Sequence, residues 1–473
     1  MIKKFLLLLL SCFFIVSFVV IYFWRDTQFQ PDANDLLQYF VFLPLLISTV
    51  LISPWLIYHF YQRHKEKKQQ ALAAEQSEEH ELTEVTNQSE STWLTLNLYA
   101  AGAYCALGEN DAILDGIKSL ASPLLDSKLS SVIGLPVLSY RIEDLDQVLS
   151  QDVSEEMQFI TTQQQRIMAL IQHQLQSHQS FLSSVADHLK QSSLFYESQN
   201  LHEYRMHPAW IDPTHSEGNE TETKPVEQVY RLDKLNLHIL LSEDVIHTWN
   251  DLSSNEIIQA FFYDLGIIPQ KFHIEYHFVS GASVVQQTVE LFERIQKQPN
   301  ELSLIITADS EIDQDILDER LLGKKTYIPA EFVSSCCVAH PAVQIEQLQP
   351  LKTLKLVLNQ NNLNQIFEEL NIHDLPQYDN EEPFVLLLED GENPKVVKKL
   401  EQFFAQTPIE PHHYLYCKPM FGQTQNLSKI FGLMLGAQFP DPQVAFIYGQ
   451  DLKAFIQTFP ELPMEQESVA LAD

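Results

Sequence analysis

Basic residues are scarce in this chain. Its 473 residues include 30 Lys and Arg against 63 Asp and Glu, which gives a formal net charge of −33 at pH 7. Phosphate backbones are bound by clustered Lys and Arg side chains, so we expect no nucleic-acid partner. We interpret the excess of acid as a feature that keeps a large domain soluble rather than as an acidic docking surface.

Cysteine is also rare, and the chain has no C-x-x-C spacing. The odd number of thiols indicates a reducing compartment without a disulfide framework; they are Cys12, Cys105, Cys336, Cys337 and Cys417. No G-x-S-x-G hydrolase motif surrounds Ser280 or Ser283. The stretch 321–325 (LLGKK) lacks the glycine spacing of a phosphate-binding loop, so the sequence predicts no nucleotide or other cofactor.

Two long apolar runs lie near the N-terminus. Residues 5–24 form an unbroken run of the length that crosses a bilayer, and residues 36–61 form a second run that contains Pro44 and Pro54. Prolines are tolerated in membrane helices because neighbouring groups satisfy the freed carbonyls. The sequence therefore predicts a membrane anchor over residues 1–68, built as a hairpin of two transmembrane helices.

The basic residues near these runs predict the orientation of the anchor. Lys3 and Lys4 precede the first run, a basic cluster over residues 63–68 follows the second, and the connector over residues 25–35 is acidic. By the positive-inside rule both outer flanks are cytoplasmic. The alternative is a cleaved signal peptide, but no A-x-A site follows Trp24. We expect a two-pass protein of a bacterial inner membrane whose N-terminus and soluble domain face the cytoplasm.

The remainder of the chain alternates between strand and helix patterns. A charged linker is predicted over residues 69–91, followed by a soluble domain over residues 92–473 with halves of about 92–345 and 346–473. Strand patterns include residues 94–98, 235–241, 272–278, 302–307, 333–338, 355–358, 384–388, 414–417 and 444–448, and helix patterns include 113–120, 154–190, 255–265, 284–298, 395–404 and 427–435. A turn is predicted at residues 100–103 and 107–108, and a polar loop at 207–225. The pattern predicts a layered α/β fold.

Several stretches together resemble the thiolase-like fold in its β-ketoacyl synthase branch. They occur in the family's order and are residues 99–108 (YAAGAYCALG), 308–313 (ADSEID), 327–332 (YIPAEF) and 418–425 (KPMFGQTQ). The last has the spacing of the ketosynthase K-x-x-x-G-H-T motif. The resemblance implies an αβαβα layered fold and, because the family usually forms dimers, offers a homodimer as one alternative.

The family's catalytic groups are a cysteine at a helix N-terminus and two histidines. A helix N-terminus makes a thiol nucleophilic, and imidazoles move protons and stabilise an oxyanion. In this chain the corresponding positions carry Ser280 (with Ser283 in the same turn), Asp390 and Gln423. A serine without an imidazole base is a poor nucleophile, so the resemblance implies a pseudoenzyme without catalytic residues.

Other polar residues give weaker patterns. The neighbouring pairs His412-His413 and Cys336-Cys337 are expected to point to opposite faces of strands, and His202, His207, His215 and Asp212 lie in or beside a polar loop. We interpret these residues as core or solvated positions and predict no metal site.

Two functions follow as hypotheses. A membrane anchor on a degenerate ketosynthase-like body is similar to the lipase adapter proteins of type VI secretion systems, as are the Gln298-Pro-Asn300 turn and the Tyr327–Glu331 segment. This implies a protein partner, a lipase effector or a secretion component. The alternative is a divergent acyltransferase that acts on acyl carriers at the inner membrane, with Cys105 or Cys336 as its nucleophile.

Overall fold

The computed structural model divides the chain into two compact units, Met1–Glu90 and Ser91–Asp473. The structure describes residues 18, 20–26, 91–151, 160–203, 229–323, 327–358, 360, 362–370, 375–379, 383–388, 394–417 and 427–459. In the first unit residues 20–26 are helical. Nearly all of the predicted anchor and linker, and the predicted loop at 207–225, lie outside the described residues. Within the described part, no helix is both long and apolar enough to cross a bilayer.

The second unit is built on one mixed sheet. Its described strands are β1 (Thr92–Cys105), β2 (Gly108–Glu109), β5 (Lys234–Ser242), β6 (Phe272–Val279), β7 (Glu301–Ser310), β8 (Glu331–Ala339), β9 (Lys352–Leu358), β10 (Val385–Leu387), β11 (Tyr414–Tyr416), β12 (Ala445–Tyr448) and β13 (Lys453–Thr458). A separate two-stranded sheet pairs β3 (Leu124–Ser130) with β4 (Pro136–Ser139). The sequence patterns predicted most of the main strands but missed β3, β4 and β13.

The main sheet contains the same topology twice. Its order is β11-β10-β12-β13-β9-β1-β8-β7-β5-β6. We number the strands of each half from 1 to 5 in chain order, which gives β1, β5, β6, β7 and β8 in the first half and β9 to β13 in the second. From the outer edge of the sheet inward, both halves then have the order 3-2-4-5-1. In both halves the fifth strand, β8 or β13, is antiparallel to its two neighbours, and the second to fourth strands are parallel. The first strands of the two halves, β1 and β9, pair antiparallel and join the halves.

Strand β1 pairs with strands of both halves, and a bulge separates its two pairing segments. Residues Thr92–Leu98 pair with β9 and residues Asn97–Cys105 pair with β8, with a register shift between Leu98 and Ala100. An extra residue in a strand reverses which face the following side chains occupy. Leu98 therefore faces the same core cluster as Ala103 and Cys105 despite the change from even to odd numbers. The turn predicted at residues 100–103 is wrong, because these residues continue β1. The turn predicted at residues 107–108 is confirmed, since Leu107 lies in the turn that joins β1 to β2.

Helices cover both faces of the sheet. They are α1 (Asp111–Lys118), α2 (Glu143–Gln151), α3 (Thr162–Ser177), α4 (Gln179–Glu203), α5 (Asp251–Asp264), α6 (Val284–Gln296), α7 (Gln314–Gly323), α8 (Leu363–Glu369), α9 (Pro394–Phe404) and α10 (Ser428–Leu435). The single helix predicted over residues 154–190 is two helices that meet at His178, since the backbone of His178 caps α3. His412 and His413 lie in a short 3-10 helix before β11 rather than on a strand.

Three apolar clusters hold together five layers, which are outer helices, the first half-sheet, the central helices, the second half-sheet and outer helices. The first lies between the half-sheets and contains side chains of α6 and α10, such as Phe292 and Phe431. The second lies outside the first half-sheet under α3, α4 and α5, and the third outside the second half-sheet under α8 and α9. Buried strands alternate between clusters: Cys336 of β8 faces the central cluster and Cys337 the outer one. The predicted α/β layered fold is confirmed.

Candidate functional site

The turn at residues 280–283 lies between the third strand of the first half and the central helix α6. Strand β6 ends at Val279 and α6 begins at Val284. The amides of Ser283 and Val284 donate to the carbonyl of Ser280, at 3.0 and 2.9 Å. The strand, turn and helix predicted around this site are confirmed, and the turn lies at the start of a helix that is packed between both half-sheets.

The hydroxyls of Ser280 and Ser283 are hydrogen-bonded within the turn. Their Oγ atoms are 3.0 Å apart, and the Ser283 Oγ also accepts from the amide of Ser280 at 3.3 Å and from the Gln287 side chain at 3.1 Å. In the described residues neither hydroxyl is bonded to an imidazole. A helix N-terminus favours negative charge, but a serine hydroxyl needs a base to become a nucleophile.

The other two predicted positions cannot be placed against this turn. Asp390 follows β10, and Gln423 lies between β11 and α10, and both are outside the described residues. Strand β11 and helix α10 are the counterparts in the second half of β6 and α6. By its position in the sequence between them, Gln423 therefore corresponds to the segment Ser280–Ser283. The roles assigned to Ser280, Asp390 and Gln423 stay predictions.

The four described thiols lie in the interior of the fold. Cys105, Cys336, Cys337 and Cys417 are free and buried. Burial raises the pKa of Cys105 to about 12 and that of Cys336 to about 12, and it also raises the pKa of Cys337 and of Cys417. Because the thiolate is the reactive form, burial disfavours nucleophilic attack by these side chains.

A buried charge network that the sequence did not predict lies at the end of β8. Arg166 of α3 bonds to both carboxylate oxygens of Glu331, at 2.7 and 2.6 Å, and also pairs with Asp146. Glu331 further accepts from the amide of Ile142 and the hydroxyl of Ser310. Every oxygen of this fully buried carboxylate is therefore used inside the fold. The Tyr327–Glu331 segment, on which part of the adapter resemblance rests, ends in a structural residue.

An open cleft of about 760 Å³ lies beside this network. Its lining combines charged side chains, including Asp126, Lys128 and Arg141, with the apolar side chains of Leu107 and Leu124. Arg141 bonds Asp126 at 2.7 Å and Asp146 at 3.2 Å, so its charge is neutralised within the protein. The cleft contains neither of the serines of the turn.

Exposed apolar side chains concentrate on the β3–β4 hairpin. Val132 and Ile133 at its tip are 75% and 78% exposed. Large exposed hydrophobic side chains also occur beside the tip and on the flanking segments, at Leu120, Leu124, Leu125, Leu135, Leu138 and Val148. Large exposed apolar side chains in one part of a structure are a feature of interaction sites. We call residues 124–139 the apolar hairpin.

One group of described residues has the composition of a metal site. His238, Glu275 and His277 offer ligand atoms that all lie within 4.8 Å of one another. The sequence analysis missed this group, although the His273-x-Glu275-x-His277 spacing on a predicted strand puts alternate residues on one face. The third member, His238, comes from another strand, and only the pairing of β5 with β6 brings it there.

Comparison with known proteins finds likeness in structure alone. No model of a known protein family matches the chain, and no curated protein matches its sequence. The ketosynthase from module 6 of the bacillaene synthase of Bacillus subtilis 168 has a TM-score of 0.43 and 9% identity, covering 77% of this chain and 72% of that one. Ketosynthase twelve of the bacillaene polyketide synthase of Bacillus amyloliquefaciens has a TM-score of 0.42 and 7% identity, covering 77% and 73%.

The ishigamide ketosynthase/chain length factor has a TM-score of 0.39 and 10% identity, covering 77% of this chain and 100% of that one. Likeness at this level carries nothing about activity or partner. The repeated 3-2-4-5-1 order and the five layers are seen in the chain itself. In its described part, the chain has a layered α/β fold in which one strand order occurs twice, which is the architecture that the thiolase-like resemblance implies.

Proposed function

We propose that this chain is a non-catalytic, ketosynthase-like adapter, held in a bacterial inner membrane by residues 5–24 and 36–61, that binds a protein partner through the apolar hairpin. The observation that carries the proposal is the exposed apolar surface of β3 and β4 on an otherwise acidic domain. Exposing such a surface to water is unfavourable, and covering it with a partner removes that cost.

The chemistry of the turn supports a role without catalysis. A serine pair bonded to itself and to Gln287 occupies the start of α6, and the described thiols are buried with a raised pKa. A divergent acyltransferase would need an accessible thiolate at Cys105 or Cys336. Burial of both side chains counts against this alternative.

The hairpin offers a partner a compact contact. Its strands are short and antiparallel, and its tip carries the most exposed apolar side chains of the hairpin, Val132 and Ile133. We expect the partner to have an apolar groove, because Val and Ile side chains bind apolar surfaces and form no favourable contacts with charged groups. A lipase effector of a type VI secretion system is one candidate for this partner, and only the weaker sequence resemblance suggests it.

The hairpin can be tested with a photo-crosslinking amino acid. We expect the full-length chain with the cross-linker at Ile133 to capture one protein in native membranes, and the substitution Val132→Asp to abolish that capture. Leu252 on α5 is 77% exposed but lies outside the hairpin, so Leu252→Asp is the matched control and should leave capture unchanged.

Three results would count against the proposal. Capture that survives Val132→Asp would exclude the hairpin as the contact. Capture of a second copy of this chain would indicate a dimer interface instead of an adapter surface. Acyl transfer to a carrier protein by the purified chain would show an enzyme.

A further inference from the structure

His238, Glu275 and His277 come together through the pairing of two parallel strands. In the register of β5 and β6, His238 lies directly opposite Glu275, and His277 is two residues further along the same face of β6. Arg294 of α6 reaches Glu275 at 3.1 Å, so this face of the strands is the one that packs toward the central helix. Strand β6 ends the sheet order of the described residues, which leaves one side of the group open.

The three facing atoms have the spacing of a metal-ligand set. The His238 Nδ1 is 3.2 Å from the His277 Nε2 and 3.2 Å from the Glu275 Oε2, and the last two atoms are 3.7 Å apart. The circle through three atoms at these distances has a radius of about 2.0 Å, and zinc bonds to nitrogen and oxygen are about 2.0–2.2 Å long. One ion therefore reaches all three atoms without rearrangement of the strands.

The donor atoms of these groups suit a cation. Burial lowers the pKa of His238 to about 3, with a smaller contribution from His277, and burial also lowers the pKa of His277. A neutral imidazole nitrogen and a carboxylate oxygen are both ligands that zinc binds.

Arg294 occupies the second oxygen of the carboxylate. It donates to Glu275 Oε1, whereas Oε2 faces the two imidazoles. A charged partner behind a ligating carboxylate fixes its orientation, as outer-shell groups do in metal sites. The side chain of His238 is 5% exposed and those of His277 and Glu275 are 19% and 33% exposed, so a fourth ligand can arrive from solvent.

We propose that His238, Glu275 and His277 bind one Zn²⁺ ion, with a water molecule in the fourth position. Two imidazoles, one carboxylate and an open position make a tetrahedral set of the type that zinc prefers. The ion links the edge strand β6 to β5 and stabilises the edge of the first half-sheet. The proposal is independent of the hairpin and of the identity of any partner.

The test is zinc binding by the full-length chain, freed of metal by a chelator. We expect one site in equilibrium dialysis against Zn²⁺ that Mg²⁺ does not fill, and a rise of several degrees in Tm when zinc is added. Co²⁺ in the same site should give the intense visible absorption of a tetrahedral centre. Substitutions Glu275→Gln and His277→Gln should each weaken zinc binding at least tenfold and remove the cobalt spectrum.

A matched variant separates this site from zinc held elsewhere on a chain with 17 histidines. His412 is an exposed histidine of the second half, so His412→Gln should leave zinc affinity and the rise in Tm unchanged. Because Glu275 and His277 are partly exposed, their variants are expected to fold, which circular dichroism will check. Equal zinc affinity in wild type, Glu275→Gln and His277→Gln would overturn the proposal, as would no binding at micromolar zinc.

Discussion

Arg166 and Glu331 form a two-point ion pair between helix α3 and strand β8, with both side chains buried. Burial alone would lower the pKa of Arg166, but the hydrogen bonds and charge of Glu331, with those of Asp146, outweigh it and raise the pKa. The pair joins an outer helix to the fifth strand of the first half. Loss of the Glu331 carboxylate would leave the charge of Arg166 in the interior without its main partner.

The substitution Glu331→Gln is expected to reduce the free energy of unfolding by about 3 kcal/mol, the lower end for breaking a buried ion pair, because Asp146 remains beside Arg166. Denaturant unfolding of the full-length chain measures this loss. The exposed pair of Arg231 and Asp233 provides the control, and Asp233→Asn should cost less than about 1 kcal/mol because solvent screens it. Equal losses would mean that the Arg166–Glu331 pair contributes no more than a surface pair.

Asp309 is expected to make stability fall as pH rises. Burial raises its pKa well above the ordinary value of 3.8, and the nearby Glu311 and Asp244 add to the shift. The folded state therefore keeps the proton that the unfolded state has released, so this contribution is fully present below pH 3.8 and is lost as pH rises through the folded pKa.

Asp309→Asn removes this titration. Its stability relative to wild type should grow by up to about 1.4 kcal/mol per pH unit above the ordinary pKa, until the folded carboxyl ionises. Thermal or denaturant unfolding between pH 4 and pH 8 measures the difference. Asp264→Asn on the exposed end of α5 should show no such trend. A constant difference across this range would show that Asp309 is ionised in the folded protein.

Gly102 is expected to tolerate no side chain. A Cβ at this position would lie 2.7 Å from the Gln174 Oε1 and 3.3 Å from both the His178 Nε2 and the Ser335 Oγ. These three polar side chains are buried and bonded to one another, at 2.6 Å for His178 to Ser335 and 2.7 Å for Ser335 to Gln174. Gly102→Ala should cost about 1–3 kcal/mol of unfolding free energy, the usual range for overpacking.

Combining Gly102→Ala with Gln174→Ala separates a clash from a backbone effect. If the clash with Gln174 causes the loss, the double variant should be destabilised by less than the sum of the single changes. Strict additivity would place the cause in the strand backbone instead.

The thiols of the soluble domain are expected to resist labelling. In a Cys12→Ser variant, a thiol reagent at pH 8 should label well under one equivalent in the native protein and all four remaining thiols after unfolding. The reason is burial, which raises the pKa of Cys105 and Cys336 to about 12. Stoichiometric capture of a thiol-reactive acyl analogue at either cysteine would instead support the acyltransferase alternative.

The local patterns of the sequence determined the layered α/β class. Alternating and continuous apolar runs predicted strands such as β5 and β7, and helical spacing predicted α6 and α10, since these signals depend on neighbours along the chain. The same patterns placed Ser280 in a turn between a strand and a helix. They failed at residues 100–103, where a run of small residues suggested a turn. In the structure these residues lie inside β1, and polar side chains pack closely against Gly102.

Only the tertiary structure decided which distant residues meet. Strand order made the two halves repeat one another, and the register of β5 against β6 brought His238 opposite Glu275. Pairing between strands is set by packing across the whole sheet, so the sequence carries no signal that two residues 37 positions apart will meet. The sequence likewise shows that the hairpin contains apolar residues. Whether such residues are buried depends on which other elements pack against them, and in this fold Val132 and Ile133 stay exposed.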